Sequence, residues 1–530
     1  MTARIRMTEE NRKWWTLAAM CFALFMIMLD NTVVNVALPS IQRDLHASIT
    51  SLEWTVNAYT LTFAVLLVTG GRLGDIFGRR TMFLFGLNVF AISSALIGLA
   101  PSQELLVAGR AVQGIGAAFM MPGTLSIISN AFPPAERGRA IGTWAGVSAL
   151  ALAIGPVVGG ALTEYVSWRA IFFLNLPVAA AAIVVTLFAV HNSRDETVDR
   201  SIDFPGIAAI TVGLTSLILL LIEGNSWGWG SVRVVALVAA TVLSLIAFAL
   251  VETHQRVPMV DFKFFRSKTF LGANLVGIVI SFAMLAQFFF LALYMQNILH
   301  FSALQAGVRF LPSTLMIVVV APIAGRLSDR IGPKPLIIAG LSLLGLSLFL
   351  QSQITPTTGY ATLLPAFVVM GVGIALTMSP MSTAAMNAVD VAKAGVASGT
   401  LSMSRMVGGS LGVAVTGALF QNQFATRVHD LTAGTPLAKY PSSQMFEAVS
   451  SGQSSQIANG ASPQQASELL AVARNAFVHA LANSMRLSLA VVVVGMLAAA
   501  VFIEGRGLPS RGRGVEEVHP EALAEPLGVQ

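Results

Sequence analysis

Charged residues are scarce in this chain of 530 residues. Asp, Glu, Lys and Arg together make up 11% of the sequence, whereas apolar residues make up 55%. A soluble protein of this length needs far more charge to cover its surface, so the composition excludes a soluble globular protein. The sequence predicts an all-α polytopic membrane protein whose lipid partner is the bilayer itself.

Several chemical signatures are missing as well. The single cysteine, Cys21, excludes a disulfide framework and a cysteine-rich metal site. We find no nucleophile–base pair and no nucleotide-binding loop, so we expect no enzyme activity, no cofactor, no metal and no nucleotide. The net charge of +6 could suggest nucleic acid. However, the basic residues lie in short loops between apolar runs. This distribution indicates that they set the membrane topology rather than form a phosphate-binding surface, so we expect no nucleic-acid partner.

Apolar runs are abundant, and hydropathy predicts fourteen spans. They cover about 15–38, 54–73, 82–100, 104–128, 139–162, 168–190, 203–223, 233–252, 269–294, 304–324, 335–352, 359–380, 398–420 and 477–503. An even number places both termini on one side. Most Lys and Arg residues lie on that same side, which predicts that both termini are cytoplasmic. The excess of Arg over Lys is typical of a GC-rich bacterium, so we expect a multi-pass protein of a bacterial inner or plasma membrane.

The chain also contains an internal repeat. The segments 71–80 and 325–334 both read Gly-Arg-Leu-x-Asp-x-x-Gly-x-basic and follow predicted spans two and ten. Parallel repeats indicate two related bundles with a substrate path between them. We therefore predict two six-helix bundles, an inserted transmembrane hairpin formed by spans seven and eight, and a tail. The predicted N-terminal bundle covers 1–190, and the inserted hairpin with its cytoplasmic linkers covers 191–268. The C-terminal bundle covers 269–503, with a long outer loop at 421–476, and the tail covers 504–530.

An ionisable residue lies inside the first span. Asp30 is followed by Asn31 and Asn35, which lie four residues apart on one helix face. A carboxyl within the bilayer is costly and usually functional, so we interpret Asp30 as a proton or substrate-cation site beside a polar cavity. The alternative is a helix cap or a buried hydrogen-bond network.

Arg110 in the fourth span is the candidate partner of Asp30. It lies about 9 Å from the outer start of its span, and Asp30 lies about 12 Å from the outer end of its own span. The depths match, so an ion pair is feasible, although a purely structural pair remains an alternative. We assign Gln113 to the substrate cavity with the two asparagines.

The first repeat is the candidate gating loop. Asp75 can pair with Arg79, and Gly70 and Gly74 form a small-xxx-small face that allows close helix approach. Gly71 and Gly78 are the other candidate residues of this loop. Asp329 is the equivalent acid of the second repeat. A charged loop on its own is usually only solvated, but two matching copies strengthen the functional interpretation.

Two glycine patterns predict close helix packing. In the fifth span, Gly155-Pro156-x-x-Gly159-Gly160 combines a groove with a residue that permits a kink. In the thirteenth, Arg405 precedes Gly408-x-x-x-Gly412, for which we expect the second span as packing partner. An ordinary kinked helix and a buried structural charge are the respective alternatives.

Together these motifs and the fourteen-span plan resemble the QacA/EmrB-type drug:proton antiporters of the major facilitator superfamily. The resemblance implies the major facilitator fold, protonation at Asp30 with Arg110 as its partner, and a gating role for the Asp75 loop. It also implies proton-driven efflux of lipophilic small molecules, with Gly155 to Gly160 forming the antiporter bend. The alternatives are an exporter of a single metabolite or antibiotic and, less favoured, a nutrient:proton symporter.

One feature departs from that family. We find no acidic residue deep in any span other than Asp30. We therefore expect substrates that are monovalent cations, zwitterions or neutral lipophiles rather than divalent cations.

Overall fold

A computed structural model describes residues 9–193, 203–255, 258, 260, 262–389, 394–450 and 463–504. Its α-helices in chain order are α1 Glu9–Leu45, α2 Ile49–Phe77, α3 Arg79–Gly98, α4 Gln103–Ala131, α5 Pro134–Tyr165, α6 Ala170–Phe173, α7 Asn175–Ala189, α8 Phe204–Trp227, α9 Val232–His254, α10 Lys268–Leu293, α11 Ala303–Ile331, α12 Pro333–Gln351, α13 Tyr360–Asn387, α14 Ala394–Thr432, α15 Ser442–Ser450 and α16 Pro463–Phe502. A π-helical turn, Tyr294–Ile298, extends α10.

The helices follow the predicted spans. Within the described part of the chain, thirteen helical segments are long and apolar enough to cross a membrane. The segment that contains α5 is not among the thirteen, but α5 is a helix of 32 residues, and the sequence carries no charge between Arg139 and Glu164. All fourteen predicted spans therefore coincide with helices, and the fold is all-helical over the described residues, as predicted.

Several helices begin at a serine that caps the first turn. The Ser48 hydroxyl accepts a hydrogen bond from the backbone N–H of Ser51, and Ser302 forms a capping box with Gln305. A hydropathy criterion does not detect these polar first turns, so the predicted spans are shorter than the helices. Within the predicted outer loop 421–476, α14 continues to Thr432 and α16 begins at Pro463, so helices occupy both ends of this segment.

The repeated loops share a backbone feature. Gly78 ends α2 with a φ of 104°, and Gly332 ends α11 with a φ of 86°. Positive φ is strained for residues with a side chain, so glycine at both positions allows the same sharp turn between consecutive helices. The sequence repeat thus corresponds to one local structure used twice.

Helices α1–α7 and α10–α16 form two bundles that meet along α2 with α14 and along α5 with α11. We call the end where α1 begins the inner end and the end where it finishes the outer end. The hairpin α8–α9 lies at the seam, where α8 packs against both α2 and α14. The exact boundaries of the three predicted units stay a prediction.

The two bundles touch closely at the outer end. The side-chain amide of Gln296, in the π-helical turn, donates to the carbonyl of Val36 at 2.8 Å, and Glu164 accepts from the backbone N–H of Leu304 at 2.9 Å. A Cβ atom added at Gly160 would lie 2.6 Å from the carbonyl oxygen of Ala303. The structure is therefore closed at its outer end.

Candidate functional site

Asp30 and Arg110 form a buried ion pair between α1 and α4. Each residue is 2% exposed, and Nη1 of Arg110 lies 2.5 Å from Oδ2 of Asp30. This contact places the two residues at the same level of the bundle, as the helical rise within the predicted spans indicates. Two opposite charges buried together in an apolar bundle require further polar partners, since desolvation of the pair is expensive.

Those partners are present. Gln113 accepts from Nη1 of Arg110 at 2.6 Å and donates to Oδ1 of Asp30 at 3.2 Å, so it contacts both charges. Nε of Arg110 donates to the carbonyl of Thr55 at 3.0 Å, and the guanidinium lies 4.2 Å from the ring centroid of Tyr59. The pair is thus embedded in a network of oriented dipoles and an aromatic face.

The network continues toward α3 and α7. The Gln113 amide donates to the hydroxyl of Ser94 at 2.8 Å, and the Asn175 amide donates to the same oxygen at 3.2 Å. Sequence reasoning assigned no role to Ser94, Tyr59 or Asn175. A signal was available for Ser94 and Asn175, since polar residues inside apolar spans need partners in the bundle.

The three predicted cavity residues are arranged differently from one another. Gln113 is fully buried and bonded to the ion pair. The amide groups of Asn31 and Asn35 donate to carbonyls of their own helix, at Ile27 and Asn31 respectively. Oδ1 of Asn35 is buried without a hydrogen-bond partner among the described residues. That oxygen is therefore able to accept a hydrogen bond from a ligand, and the role of all three in a cavity stays a prediction.

The glycine-rich segment of α5 contacts both bundles. A Cβ at Gly155 would lie 1.9 Å from Oγ1 of Thr32, and a Cβ at Gly159 would lie 2.5 Å from a methyl of Val33. On the other side of α5, the carbonyl oxygen of Pro156 would lie 2.0 Å from a Cβ at Gly307 of α11. The segment therefore connects the part of α1 that follows Asp30 with the opposite bundle.

The loop between α2 and α3 is held in place at the inner end. Nη2 of Arg79 lies 2.9 Å from Oδ1 of Asp75, which is the expected ion pair. The Arg79 backbone N–H donates to the carbonyl of Ser193, beyond α7, at 2.9 Å. A Cβ at Gly71 would lie 3.2 Å from Cβ of Pro122. The side chain of Asp329 in the second repeat lies outside the described part of the structure.

The packing partner predicted for α14 was wrong. Cβ atoms at Gly408 and Gly412 would lie 2.3 Å from the carbonyl oxygens of Ile278 and Phe282, which belong to α10. Arg405 is on the same side, since its Cγ would lie 3.2 Å from a Cβ at Gly277. Helix α2 packs on a different face of α14, because two neighbours of a helix in a bundle occupy different stripes of its surface.

Asp30 is not the sole buried acid among the described residues. Glu53 is 0% exposed and lies inside α2, which begins at Ile49, before the predicted start of the second span at residue 54. Hydropathy placed this charge in a loop, whereas the Ser48 cap places it inside the first turns of the helix. The expectation about the charge of the substrate therefore stays a prediction.

A polar cleft opens at the outer end between the bundles, with a volume of about 460 Å³. Its lining residues are Ser40, Arg43, Thr163, Glu164, Gln296, Asn297, His300, Phe301, Ser302 and Ala303. Partial burial, with a smaller contribution from Arg474, lowers the pKa of His300. His300 is therefore neutral at pH 7 and accepts a hydrogen bond from Arg474 at 2.6 Å.

Comparison with known proteins gives the family. A model described as Major Facilitator Superfamily matches residues 20–413. The chain belongs to this superfamily. It is therefore a multi-pass membrane transporter, and the two-bundle architecture described above is that of its family.

Several similar proteins are named for resistance to drugs or antibiotics or for their export. A tetracenomycin C resistance and export protein of Streptomyces glaucescens is 37% identical over 80% of this chain and 78% of its own length. A puromycin resistance protein of Streptomyces alboniger is 39% identical over 77% of this chain and 81% of its own length. A multidrug resistance protein of Mycobacterium tuberculosis is 35% identical over 76% of this chain and 75% of its own length.

A solved structure supports the fold alone. A bacterial homologue of the human lysosomal transporter Spinster, solved in an inward-facing and unoccupied conformation, aligns with a TM-score of 0.65 at 17% identity. The alignment covers 94% of this chain and 99% of that one.

Proposed function

We propose that this transporter exports lipophilic small molecules, drugs or antibiotics among them, in exchange for protons by alternating access. The observation that carries the proposal is the buried Asp30–Arg110 pair, because an ionisable pair inside a membrane bundle is the group that a proton gradient can act on. The names of the similar proteins support the export of antibiotics.

The coupling step uses the contacts of Asp30. In the outer-closed structure Arg110 and Gln113 stabilise the carboxylate form. A movement that separates Arg110 from Asp30 would leave a buried charge without its partner, so proton exchange at Asp30 is tied to the relative position of α1 and α4. The gradient supplies about 2.3 kcal/mol per charge per 100 mV and about 1.4 kcal/mol per pH unit, so one or two protons sustain a substrate gradient of about tenfold or more.

For orientation, we propose that the inner end faces the cytoplasm of a bacterium, with both termini inside. The excess of basic residues at that end supports this assignment. Labelling an engineered cysteine at Ala433, in the turn after α14, from outside intact cells tests it. If Ala433→Cys is labelled only after the cells are opened, the proposed orientation is wrong and the outer end faces the cytoplasm.

A second candidate is a dedicated exporter of one antibiotic. Several similar proteins are named for a single compound each, among them tetracenomycin C, puromycin and cephamycin. Efflux assays with a panel of chemically unrelated antibiotics separate the two candidates. Export of several unrelated compounds favours the broad function, and export of one favours the narrow function.

The decisive experiment measures uphill efflux from vesicles with and without a pH gradient. We expect Asp30→Asn to abolish uphill efflux. The matched control is Asp44→Asn on the same helix, where a half-exposed aspartate pairs with Arg169 at the outer end. We expect this control to pump normally. Uphill efflux and substrate-induced proton release that persist in Asp30→Asn would rule out Asp30 as the coupling site.

A further inference from the structure

Glu53 is a buried carboxyl at the seam between the two bundles. It lies about 6 Å below the outer start of α2 by helical rise. A Cβ at Gly417 of α14 would lie 2.2 Å from Oε1 of Glu53, so the carboxyl rests directly against the α14 backbone. The side chain therefore occupies the contact between α2 and α14, which belong to different bundles.

Few groups compensate this carboxyl. Oε1 accepts one long hydrogen bond, 3.4 Å, from the Gln421 amide, and Oε2 is buried with no hydrogen-bond partner among the described residues. No lysine, arginine or histidine in the described part of the chain forms an ion pair with it. Within the described residues, the one charged group that acts on it is Glu223 of α8, a charge of the same sign.

Hydrogen bonds near Glu53 hold α14 against α2 and α8. One turn deeper, Ser410 of α14 donates to Oδ1 of Asn57 at 2.7 Å. From α8, the Asn225 amide donates to the carbonyl of Ala418 at 2.6 Å. Among the described residues of these three helices, Gln421 donates to Glu53 and Glu223 adds a charge of the same sign, and neither neutralises a carboxylate.

The physical consequence concerns protonation. An ionised carboxyl buried without a cation costs several kcal/mol, and Glu223 adds repulsion. A neutral carboxylic acid is compatible with this environment. When the outer ends of α2 and α14 separate, the carboxyl meets water, where a glutamate is ionised at neutral pH. Asp30 differs, because Arg110 stabilises its charge in the same closed structure.

We propose that Glu53 is a second proton-binding group that controls the outer gate. The outer ends of α2 and α14 close after the Glu53 carboxylate takes one proton from the outer solution, and this proton returns to water when they separate. The proposal rests on the alternating access proposed above, but not on Asp30 as the coupling site. It assigns to Glu53 a positioning role through gate closure, without contact to the substrate.

The test measures the gate directly. Spin labels on Glu104→Cys of α4 and Thr426→Cys of α14, in a Cys21→Ser background, report the distance between the bundles at the outer end by pulsed electron paramagnetic resonance. The full chain also carries Asp30→Asn, so that Asp30 does not titrate. We expect the short distance to dominate at about pH 5 and a longer distance to gain population toward about pH 9.

Adding Glu53→Gln should abolish this pH dependence and leave the short distance at every pH, since glutamine imitates the protonated form. Glu53→Asp should retain a pH dependence. The matched control is Glu164→Gln at the other seam, where the carboxylate is exposed and accepts from the Leu304 backbone; it should behave like its parent.

A distance in the Asp30→Asn protein that is independent of pH would overturn the proposal, as would an unchanged titration in Glu53→Gln. The first of these outcomes does not depend on whether Glu53→Gln folds. The readout needs no substrate and no transport, so failure of the Glu53 proposal is distinguishable from failure of the efflux proposal.

Discussion

Helix α1 carries two aspartates that pair with arginines in contrasting surroundings. The side chains of Asp30 and Arg110 are 1% and 2% exposed, whereas those of Asp44 and Arg169 are 47% and 32% exposed. The outer pair exchanges its hydrogen bonds readily with water, and the indole of Trp168 also donates to Asp44 at 2.9 Å. The buried pair depends on Gln113 and the backbone of Thr55 instead.

The comparison shows that residue chemistry alone does not decide function. A water-exposed pair is worth little, because the charges are well solvated with or without each other. A buried pair is costly to assemble and more costly to disrupt, because removal of one partner leaves an uncompensated charge. The same property makes the buried pair sensitive to protonation and to any movement of α1 relative to α4.

The largest difference is expected when each arginine is removed. Arg110→Ala should lower the free energy of unfolding by about 3–5 kcal/mol, or force Asp30 to become neutral, since it leaves a buried charge unpaired. Arg169→Ala should cost about 0–1 kcal/mol. Thermal unfolding of the two purified variants checks this, and equal losses of stability would contradict the contrast between the pairs.

A conservative replacement sharpens the comparison. Arg110→Lys retains the charge but loses the planar fork that reaches both Asp30 and Thr55, so we expect uphill efflux to be restored only partly relative to Arg110→Ala. Arg169→Lys at the exposed pair should keep wild-type efflux. Initial efflux rates in vesicles, normalised to protein content, measure both variants; full activity of Arg110→Lys would show that charge alone suffices.

A smaller effect is expected at the residue that bridges the buried pair. Gln113→Leu removes one acceptor and one donor from Arg110 and Asp30 and leaves Ser94 with one contact fewer, which should cost about 1–3 kcal/mol of stability. Uphill efflux should fall and the pH dependence of efflux should change, because the carboxylate loses a stabilising donor. An unchanged pH profile would restrict Gln113 to a structural role.

The smallest effect on stability is expected at a third aspartate–arginine pair, Asp75–Arg79 at the inner end. Its side chains are 34% and 21% exposed, so Asp75→Asn should cost about 0–1 kcal/mol. We nevertheless expect slower turnover, because this loop connects α2 and α3 and contacts the chain after α7. Efflux rate and melting temperature measured together separate the two effects, and normal transport would remove the loop from the mechanism.

A steric companion to that variant is Gly71→Leu. Cβ at this position would already lie 3.2 Å from Cβ of Pro122, so a leucine should separate α2 from α4 and slow transport. Gly146→Leu is the matched control, since nothing lies within 4 Å of a Cβ at that glycine. If both leucine variants transport alike, close packing of α2 on α4 at Gly71 is not required.

The sequence by itself determined the helices, the repeat and the depth of the central charges. Apolar runs of span length form helices in a bilayer because the backbone must satisfy its own hydrogen bonds there. Helical rise then places Asp30 and Arg110 at one level, and the repeated loops end at glycines of positive φ. These features are local or follow from fixed helix geometry, so the amino-acid sequence is sufficient to predict them.

Only the tertiary structure decided which faces meet. It joined Ser94, Gln113 and Asn175, from three helices, in one network and placed Gly408 and Gly412 against α10 rather than α2. It also buried Glu53 against Gly417, residues that lie far apart in the chain. Burial and partners depend on how helices rotate and pack against their neighbours, and no local pattern in one helix specifies the surface of another.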